Sequence, residues 1–262
     1  MLLGYNSTVF AYGATGAGKT YTMLGTLAQP GIMGLTFEAL FKQIATQARD
    51  KDFKITMSYL EIYNECIKDL LSTSTEYLDL REDPQKGVTV AGINEVIAQS
   101  AEEVLAMLQL GNRNRTVEAT NANETSSRSH AVLQVLVEHR DRDAGTEAEV
   151  RHGKLSLIDL AGSERAATTM NRGLRMIEGA NINRSLLALG NCINMLAENA
   201  ARGAKNHVPF RDSKLTRLLK DSLGGNCRTV MIANVSPASY AYEDTHNTLK
   251  YANRAKNIKT NA

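Results

Sequence analysis

The segment GATGAGKT, from Gly13 to Thr20, has the spacing of a phosphate-binding loop, G-x-x-x-x-G-K-[ST]. Its glycines let backbone N–H groups turn toward phosphate oxygens, because no side chain stands in the way. The lysine adds a positive charge at the β- and γ-phosphates, and the threonine hydroxyl can bind Mg²⁺. The predicted binders of a nucleoside triphosphate are Gly13, Ala14, Thr15, Gly16, Ala17, Gly18, Lys19 and Thr20.

Hydrolysis of that triphosphate needs a carboxylate on the metal side and a group near the γ-phosphate, and the loop contains neither. The apolar segment LSLID ends in Asp159, whose carboxylate can reach Mg²⁺ through a water. Gly162 leaves an N–H free to approach the γ-phosphate, and Glu164 lies just beyond it. A capping Asp at a strand end is the alternative, but the phosphate-binding loop favours the metal role.

A polar cluster, NETSSRSH (Asn123–His130), leads into an apolar segment. On its own it could cap a helix or form a turn. Beside the other two motifs it is predicted to sense the γ-phosphate. Ser127 would then bind the metal, and Arg128 would pair with Glu164.

The segments around these motifs alternate between strand-like and helix-like patterns, as in an α/β protein. The run STVFAY before Gly13 and the helical pattern after Gly18 give the strand–loop–helix context of a phosphate-binding loop. We therefore expect a P-loop NTPase whose central, mostly parallel or mixed β-sheet is flanked by helices on both faces. Strands are predicted at 7–12, 53–64, 130–140, 153–162 and 228–236, helices at 36–48, 100–110, 182–196, 212–223 and 242–256, a loop or hairpin at 72–92, and a helical turn at 65–71.

The helix at 182–196 has apolar residues at Ile182, Leu186, Leu189, Ile193 and Leu196. Their spacing marks one buried face, with coiled-coil pairing as the alternative. The pattern covers only about two heptads, so packing against a core is favoured. The sequence contains no internal repeat or linker, which predicts a single domain over residues 1–262.

The composition is that of an ordinary globular chain, since 43% of the 262 residues are hydrophobic and 22% are charged. No apolar run reaches the roughly 18 residues that cross a bilayer, and no signal peptide is recognisable, so no membrane contact is expected. The three cysteines lack metal-binding or C-x-x-C spacing, which predicts buried thiols in a reducing compartment.

Charge is unevenly distributed along the chain. Residues 201–262 contain 11 Lys and Arg against 4 Asp and Glu, whereas residues 1–200 contain 19 against 24. Such a basic segment predicts an acidic partner, with a merely solvated basic surface as the alternative. Nucleic acid is disfavoured as that partner, because no aromatic residues are interleaved with the basic ones.

Taken together, GATGAGKT, NETSSRSH and DLAGSE resemble the nucleotide loop, switch I and switch II of a kinesin motor domain. The resemblance extends over nearly all of residues 1–259. GATGAGKT and TLKYANRAKNIK are most similar to the kinesin-8 class. The segment that resembles the kinesin relay helix is NINRSLLALGNCI. The one that resembles the microtubule-facing segment is VPFRDSKLTRLLKDSLGGN, and the one that resembles the last motor helix is NTLKYANRAKNI.

The resemblance implies hydrolysis of ATP with Mg²⁺, coupled to movement along microtubules or to their plus-end disassembly. By motif position, Lys19 would hold the β- and γ-phosphates, and Thr20 and Ser127 would bind Mg²⁺. Asp159 would reach the metal through water. Tyr21 lies where the family places an adenine-stacking ring, with a buried helix residue as the alternative.

The same resemblance assigns the hydrolytic water. Ser126, Ser127 and Gly162 would hold it, and its proton would pass through a second water to Glu164. Arg128 would pair with Glu164 and close the site. This division agrees with phosphoryl transfer by positioning and charge stabilisation.

The basic segment would face the acidic microtubule surface, with the cell's microtubule cytoskeleton, spindle or axoneme as the place of action. Charge attraction of this kind speeds encounter and weakens with salt. The implied contacts are Arg211, Lys214 and Arg217, with Arg202 and Lys205 in the preceding loop and Lys86 in the projecting loop.

Two departures from the family are expected. Kinesin motors have a strand pair and an R-x-x-P base-binding segment before this loop, whereas only Met1–Ser7 precede its strand here. The neck linker would start where the chain stops. The resemblance thus predicts a partial motor domain, an open edge at strand 228–236, and a homodimer formed through a stalk outside this chain.

Two other functions compete with a motor core. One is a microtubule-binding module with weak or no ATP turnover, because of the expected loss of the N-terminal part. The other is a P-loop GTPase, which is disfavoured because the sequence has no N-K-x-D base-reading motif.

Overall fold

The computed structural model describes residues 1–26, 28–83, 87–117, 127–142, 150–164, 174–225 and 227–258. This part of the chain contains both strands and helices, but they alternate less regularly than predicted, because five strands follow one another between the second and third α-helices. The strands are β1 (Asn6–Tyr12), β2 (Lys51–Tyr63), β3 (Cys66–Asp69), β4 (Asp79–Asp83), β5 (Gly87–Ala91), β6 (Val96–Ile97), β7 (His130–Asp141), β8 (Arg151–Asp159) and β9 (Cys227–Ala233). The α-helices are α1 (Lys19–Met23), α2 (Ile32–Gln47), α3 (Ala101–Val117), α4 (Leu174–Arg202), α5 (Lys214–Leu218), α6 (Lys220–Gly224) and α7 (Tyr242–Ala255).

The central sheet is mixed, which confirms the predicted fold class. Its strand order is β3-β2-β7-β8-β1-β9, with β6 paired to β2, and β4 and β5 form a separate hairpin. Parallel pairing is confined to β1 with β8 and β9, while the other pairs are antiparallel. Among the described strands β9 pairs only with β1, so the edge predicted at 228–236 is present.

Helices cover both faces of this sheet, each above its own hydrophobic core. One core contains Phe37 from α2 and Val104 from α3, and the other contains Leu189 from α4 and Leu215 from α5. Leu186, Leu189 and Ile193 are buried in the second core, which confirms core packing as the role of the apolar face of α4. No helix in the described part of the chain is long and apolar enough to span a bilayer.

The predicted helical turn at 65–71 is wrong, because the chain forms a β-hairpin there. Asn64 and Glu65 adopt left-handed φ values of 51° and 59°, and Tyr63 pairs with Cys66 across the turn. Two left-handed residues in succession reverse a strand tightly. The Glu65 carboxylate accepts hydrogen bonds from the Ser213 hydroxyl at 2.8 Å and the Lys214 N–H at 2.7 Å, which ties this turn to α5.

Several helix boundaries differ from the predictions, and the longest helix, α4, covers Leu174–Arg202 rather than 182–196. Helix α2 begins four residues earlier than expected, at Ile32, and α3 continues to Val117 rather than ending near 110. The capping box opens α3 as predicted, since Ser100 Oγ accepts from the Glu103 N–H at 3.2 Å. The helix predicted at 212–223 is a 3₁₀ turn followed by α5 and α6, which Leu219 separates. The projecting hairpin is confirmed as β4–β5, with Lys86 outside the described residues.

Gly111 of α3 lies directly against the ring of Tyr59, and a Cβ at this position would approach the ring atom Cε1 to 2.8 Å. Gly111→Ala should therefore lower the free energy of unfolding by about 1–3 kcal/mol through overpacking, despite the better helix propensity of alanine. Urea denaturation of the folded chain measures this change. The control is Ala106→Gly at an exposed site of the same helix, where losing the methyl should cost about 1 kcal/mol. A Gly111→Ala variant as stable as the parent would contradict the close contact.

Candidate nucleotide-binding site

The predicted phosphate-binding residues form a loop between the end of β1 and the start of α1. Gly18 has a left-handed φ of 91° and immediately precedes α1, so the helix begins with its N–H groups toward the loop. Gly13 lies so close to the backbone oxygen of Asn234, just after β9, that a side chain would overlap it. The start of the loop thus packs against the segment that follows β9.

Lys19 is buried beneath this loop, with 7% of its surface exposed. Its Nζ donates hydrogen bonds to the carbonyl oxygens of Gly13 and Ala14, both at 2.9 Å. Burial lowers the pKa of Lys19, while the nearby carboxylates of Asp159 and Glu164 act in the opposite direction. The ammonium group is therefore held under the loop, where it can turn to phosphate oxygens.

Thr20 and Asp159 meet at the predicted metal side of the loop. The Thr20 hydroxyl donates to Asp159 Oδ2 at 2.8 Å, and Asp159 is 1% exposed. Asp159 Oδ1 is buried and has no hydrogen-bond partner among the described residues. Hydroxyl and carboxylate oxygens are the donors that Mg²⁺ prefers, so this pair fits the predicted ion. The described residues contain no cluster of three or more His, Cys, Asp or Glu that could hold a metal by itself.

Arg115 of α3 is a site residue that sequence reasoning missed. It is 3% exposed, and its Nη1 donates to Asp159 Oδ2 at 3.1 Å. Its Nε lies 3.1 Å from Ser129 Oγ and 3.7 Å from Glu61 Oε1. The predicted helix stopped before this position, and no local motif marks an arginine whose partners lie on β2 and β8. Arg115 thus places a positive charge between two buried carboxylates.

The switch-like segments lie directly against the phosphate-binding loop. Glu164 Oε2 accepts from the Thr15 N–H at 2.8 Å, and its Oε1 accepts from the Thr15 hydroxyl at 2.6 Å. The Gly162 N–H donates to the Ser127 carbonyl at 2.9 Å. The expectation that this N–H is free to face a phosphate is corrected here, because a neighbouring carbonyl takes it. The structure therefore joins the three nucleotide motifs in one place.

Two expectations about this junction remain predictions. The Glu164 carboxylate contacts Thr15 in this structure, so its pairing with Arg128 stays a prediction. Ser126, predicted to hold the hydrolytic water, lies outside the described residues. Residues 165–173, between Glu164 and α4, also lie outside the described residues.

A cavity of about 210 Å³ opens above the loop, where the predicted nucleotide residues meet the predicted sensor. Tyr21 is 54% exposed at its rim, so the alternative that it is a buried helix residue is wrong. Its hydroxyl contacts the side-chain oxygen of Gln29. Adenine stacking on this ring stays a prediction. The lining residues are Thr15, Gly16, Gly18, Lys19, Thr20, Tyr21 and Ser127.

The predicted track-facing cations in the described residues lie between the end of α4 and α5, and these helices pack on the opposite face of the sheet from α2. Arg202 ends α4, and both it and Lys205 are exposed. Arg211, in the 3₁₀ turn, is also exposed. Lys214 and Arg217 share the single turn of α5 as predicted, and Arg217 Nε is buried with no hydrogen-bond partner among the described residues.

Replacing Arg115 tests whether it compensates the buried carboxylates. Arg115→Leu should lower the free energy of unfolding by about 3–5 kcal/mol, because Asp159 and Glu61 would stay buried without their cation. Arg115→Lys should cost less, since it keeps the charge but loses the guanidinium geometry. Urea denaturation measures both variants. The control, Arg113→Leu, removes the same side chain from an exposed position of α3 and should change stability little. Equal effects at 113 and 115 would refute the compensation.

Comparison with known proteins shows the family of the chain. The family model of the kinesin motor domain matches residues 1–258. Three kinesin-like proteins are similar to this chain over 99% of its length. They are KIF19 of Xenopus laevis at 62% identity, KIF18B of Gallus gallus at 60% and KIN-8A of Arabidopsis thaliana at 57%. The chain spans only 26%, 32% and 35% of their respective lengths.

Solved structures share the fold as well. A KIF14 dimer with AMP-PNP in complex with a microtubule superimposes with a TM-score of 0.90 and 42% identity, over 99% of this chain and 73% of that one. A fast kinesin gives the same TM-score with 43% identity, over 99% of this chain and 72% of the other. The resemblance to the kinesin-8 class is confirmed by the relatives above, and the chain belongs to the kinesin motor domain family.

Proposed function

We propose that this chain is the core of a microtubule motor that binds MgATP, hydrolyses it and couples the cycle to microtubule binding. The observation that carries the proposal is the junction of three motifs, in which Thr15 binds Glu164 and Ser127 binds Gly162 beside Asp159. The similar KIF14 structure contains AMP-PNP and a microtubule, which supports the same ligand and partner here. We further propose a single partial motor domain over residues 1–262, acting on the microtubule cytoskeleton, and a homodimeric whole protein.

Nucleotide binding would exchange the internal hydrogen bonds of the loop for bonds to phosphate. The Lys19 ammonium group would leave the carbonyl oxygens of Gly13 and Ala14, and the Thr15 N–H would leave the Glu164 carboxylate. Both groups are donors of the kind that binds phosphate oxygens in such a loop. Glu164 competes with phosphate for the Thr15 N–H. Phosphate binding therefore releases this carboxylate for the proton transfer and for Arg128.

The hydrolytic step follows from the residues so released. Ser126 and Ser127 orient a water whose oxygen attacks the γ-phosphorus as the bond to the β–γ bridging oxygen breaks, and the Gly162 N–H could join them only after leaving the Ser127 carbonyl. The water's proton passes through a second water to Glu164. The ion held by Thr20 and Ser127, with Asp159 behind it, would neutralise charge on the phosphates. Lys19 stabilises the same charge from below the loop.

Turnover with and without microtubules tests the proposed function. We expect ATP hydrolysis by the chain to rise when microtubules are added, and Lys19→Ala to lower the stimulated rate by about a hundredfold or more. The control, Lys42→Ala, removes an exposed lysine from α2 and should leave the rate unchanged. If microtubules do not stimulate ATP hydrolysis by the parent chain, the proposal that it is a motor core is wrong. If the amount that co-sediments with microtubules is the same with ATP, with ADP and in Lys19→Ala, the chain is a microtubule-binding module instead.

Acidic side chains of β4 pair with two of the track-facing cations and with the neighbouring Lys220. Asp79 pairs with Lys214 at 3.0 Å, and Glu82 pairs with Lys220 at 2.5 Å and with Arg211 at 4.0 Å. The ammonium of Lys220 holds the pKa of Glu82 below its usual range. A microtubule therefore competes with this hairpin for the same cations, and like charges on hairpin and track repel each other.

Glu82→Gln and Asp79→Asn should each raise microtubule affinity about two- to fivefold at low ionic strength, since each removes an exposed carboxylate that pairs with these cations and repels an acidic track. The gain should shrink as salt is added. Co-sedimentation over a salt series gives the affinities. Glu38→Gln, the same charge change on α2 across the sheet, is the control and should have little effect. If the β4 variants bind no better than Glu38→Gln, the hairpin does not compete for the cations.

A further inference from the structure

A buried histidine connects the long helix α4 to the segment that carries Gly162 and Glu164. We propose that His130 is a positioning residue, which transmits a displacement of α4 to this segment and so couples microtubule binding to ATP turnover. The proposal rests on the motor function proposed above. It adds a link whose atoms contact neither nucleotide nor microtubule.

His130 is the last residue of the polar cluster at 123–130 and the first residue of β7, and it is 2% exposed. Its Nδ1 accepts a hydrogen bond from the Ala161 N–H at 3.0 Å. Its Nε2 lies 2.8 Å from the hydroxyl of Ser185, which is on α4 and is also 2% exposed. One rigid ring thus contacts the sheet edge beneath Gly162 on one side and the long helix on the other.

The two contacts assign the protons on the ring. The Ala161 N–H can only donate, so Nδ1 must be the unprotonated acceptor, and a neutral ring then carries its proton on Nε2. Nε2–H donates to Ser185. Burial lowers the pKa of His130 to about 3, with the positive charges of Arg115 and Lys19 acting in the same direction, so the ring stays neutral. Its single donor and single acceptor are directed to two different elements.

A displacement of α4 cannot leave this arrangement unchanged. If Ser185 moves away, a buried donor loses its acceptor, which is costly where no water can replace it. The alternative is for the ring to follow α4 and draw Ala161 with it. Ala161 precedes Gly162, whose N–H binds the Ser127 carbonyl, so the movement reaches the junction of the nucleotide motifs. The same path operates in reverse when nucleotide rearranges that junction.

Two variants separate the ends of this link. Ser185→Ala removes the hydrogen bond between His130 and α4 and keeps the hydrogen bond from the Ala161 N–H to His130. In His130→Asn, the side-chain oxygen can still accept from Ala161, but the shorter side chain does not reach Ser185. Ser185→Ala should keep ATP turnover without microtubules within about twofold, and both variants should lower the ratio of the microtubule-stimulated rate to the basal rate about five- to tenfold, a usual size for a coupling between two sites. Because both break one link, the double variant should lose no more than either single variant. Ser185→Thr keeps the hydroxyl and should restore stimulation.

The matched control is Ser222→Ala, which removes another buried hydroxyl, bonded to Thr8 at 2.8 Å, and should keep stimulation. Undiminished stimulation in Ser185→Ala and His130→Asn, or losses that add in the double variant, would overturn the proposal. It would also be overturned if basal and stimulated rates fell together with the midpoint of urea unfolding, since that pattern marks a purely structural residue.

Hydrogen exchange of the Ala161 amide tests the link without microtubules. Ser185→Ala should raise the exchange rate of this amide about fivefold or more, because the ring that accepts its N–H is no longer held from α4. An unchanged rate would refute the coupling. A parent chain without microtubule stimulation would overturn the proposed motor function alone, since the exchange result decides the link independently.

Discussion

The buried carboxylate of Asp159 is the constraint on which the arrangement of the site depends. With 1% of its surface exposed at the end of β8, it needs compensation from groups that are themselves fixed. Arg115 supplies a charge from α3, and Thr20 supplies a hydroxyl from α1. One buried carboxylate therefore ties both helices to the end of β8 before any nucleotide binds.

The parallel half of the sheet brings the motifs to that carboxylate. Because β1 and β8 run parallel with Ala11 opposite Asp159, both chains leave the sheet at the same edge, where ligands of such sheets bind. The loop after β1 and the segment after β8 then meet, and the Ser163 N–H bonds to the Gly13 carbonyl at 3.1 Å. The antiparallel half contributes differently, since β7 begins at His130 and carries the sensor segment to this edge.

Most of the site was predictable from sequence because its motifs are local, and the rest depends on contacts between distant segments. The loop at Gly13–Thr20 and the strand ending in Asp159 each carry their signal within a few residues. Arg115 does not, since its partners lie on other strands and only the folded chain brings them together. The turn at Asn64–Glu65 was mistaken for a helical segment because apolar spacing in so short a run does not distinguish helix from strand. Its stabilisation by Ser213 is equally distant in sequence.

The nucleotide edge and the basic face are joined by one continuous element. Helix α4 has 29 residues and is therefore about 43 Å long. Ser185, which contacts His130, and Arg202, at the helix end, are separated by about 26 Å along its axis. A helix of this length, packed on the core through Leu189 and Ile193, shifts as a unit rather than bending locally. In the proposed coupling, the charge of Arg202 can thus influence hydrolysis from a distance, because the buried polar contacts along the helix are made in one arrangement and broken in the other.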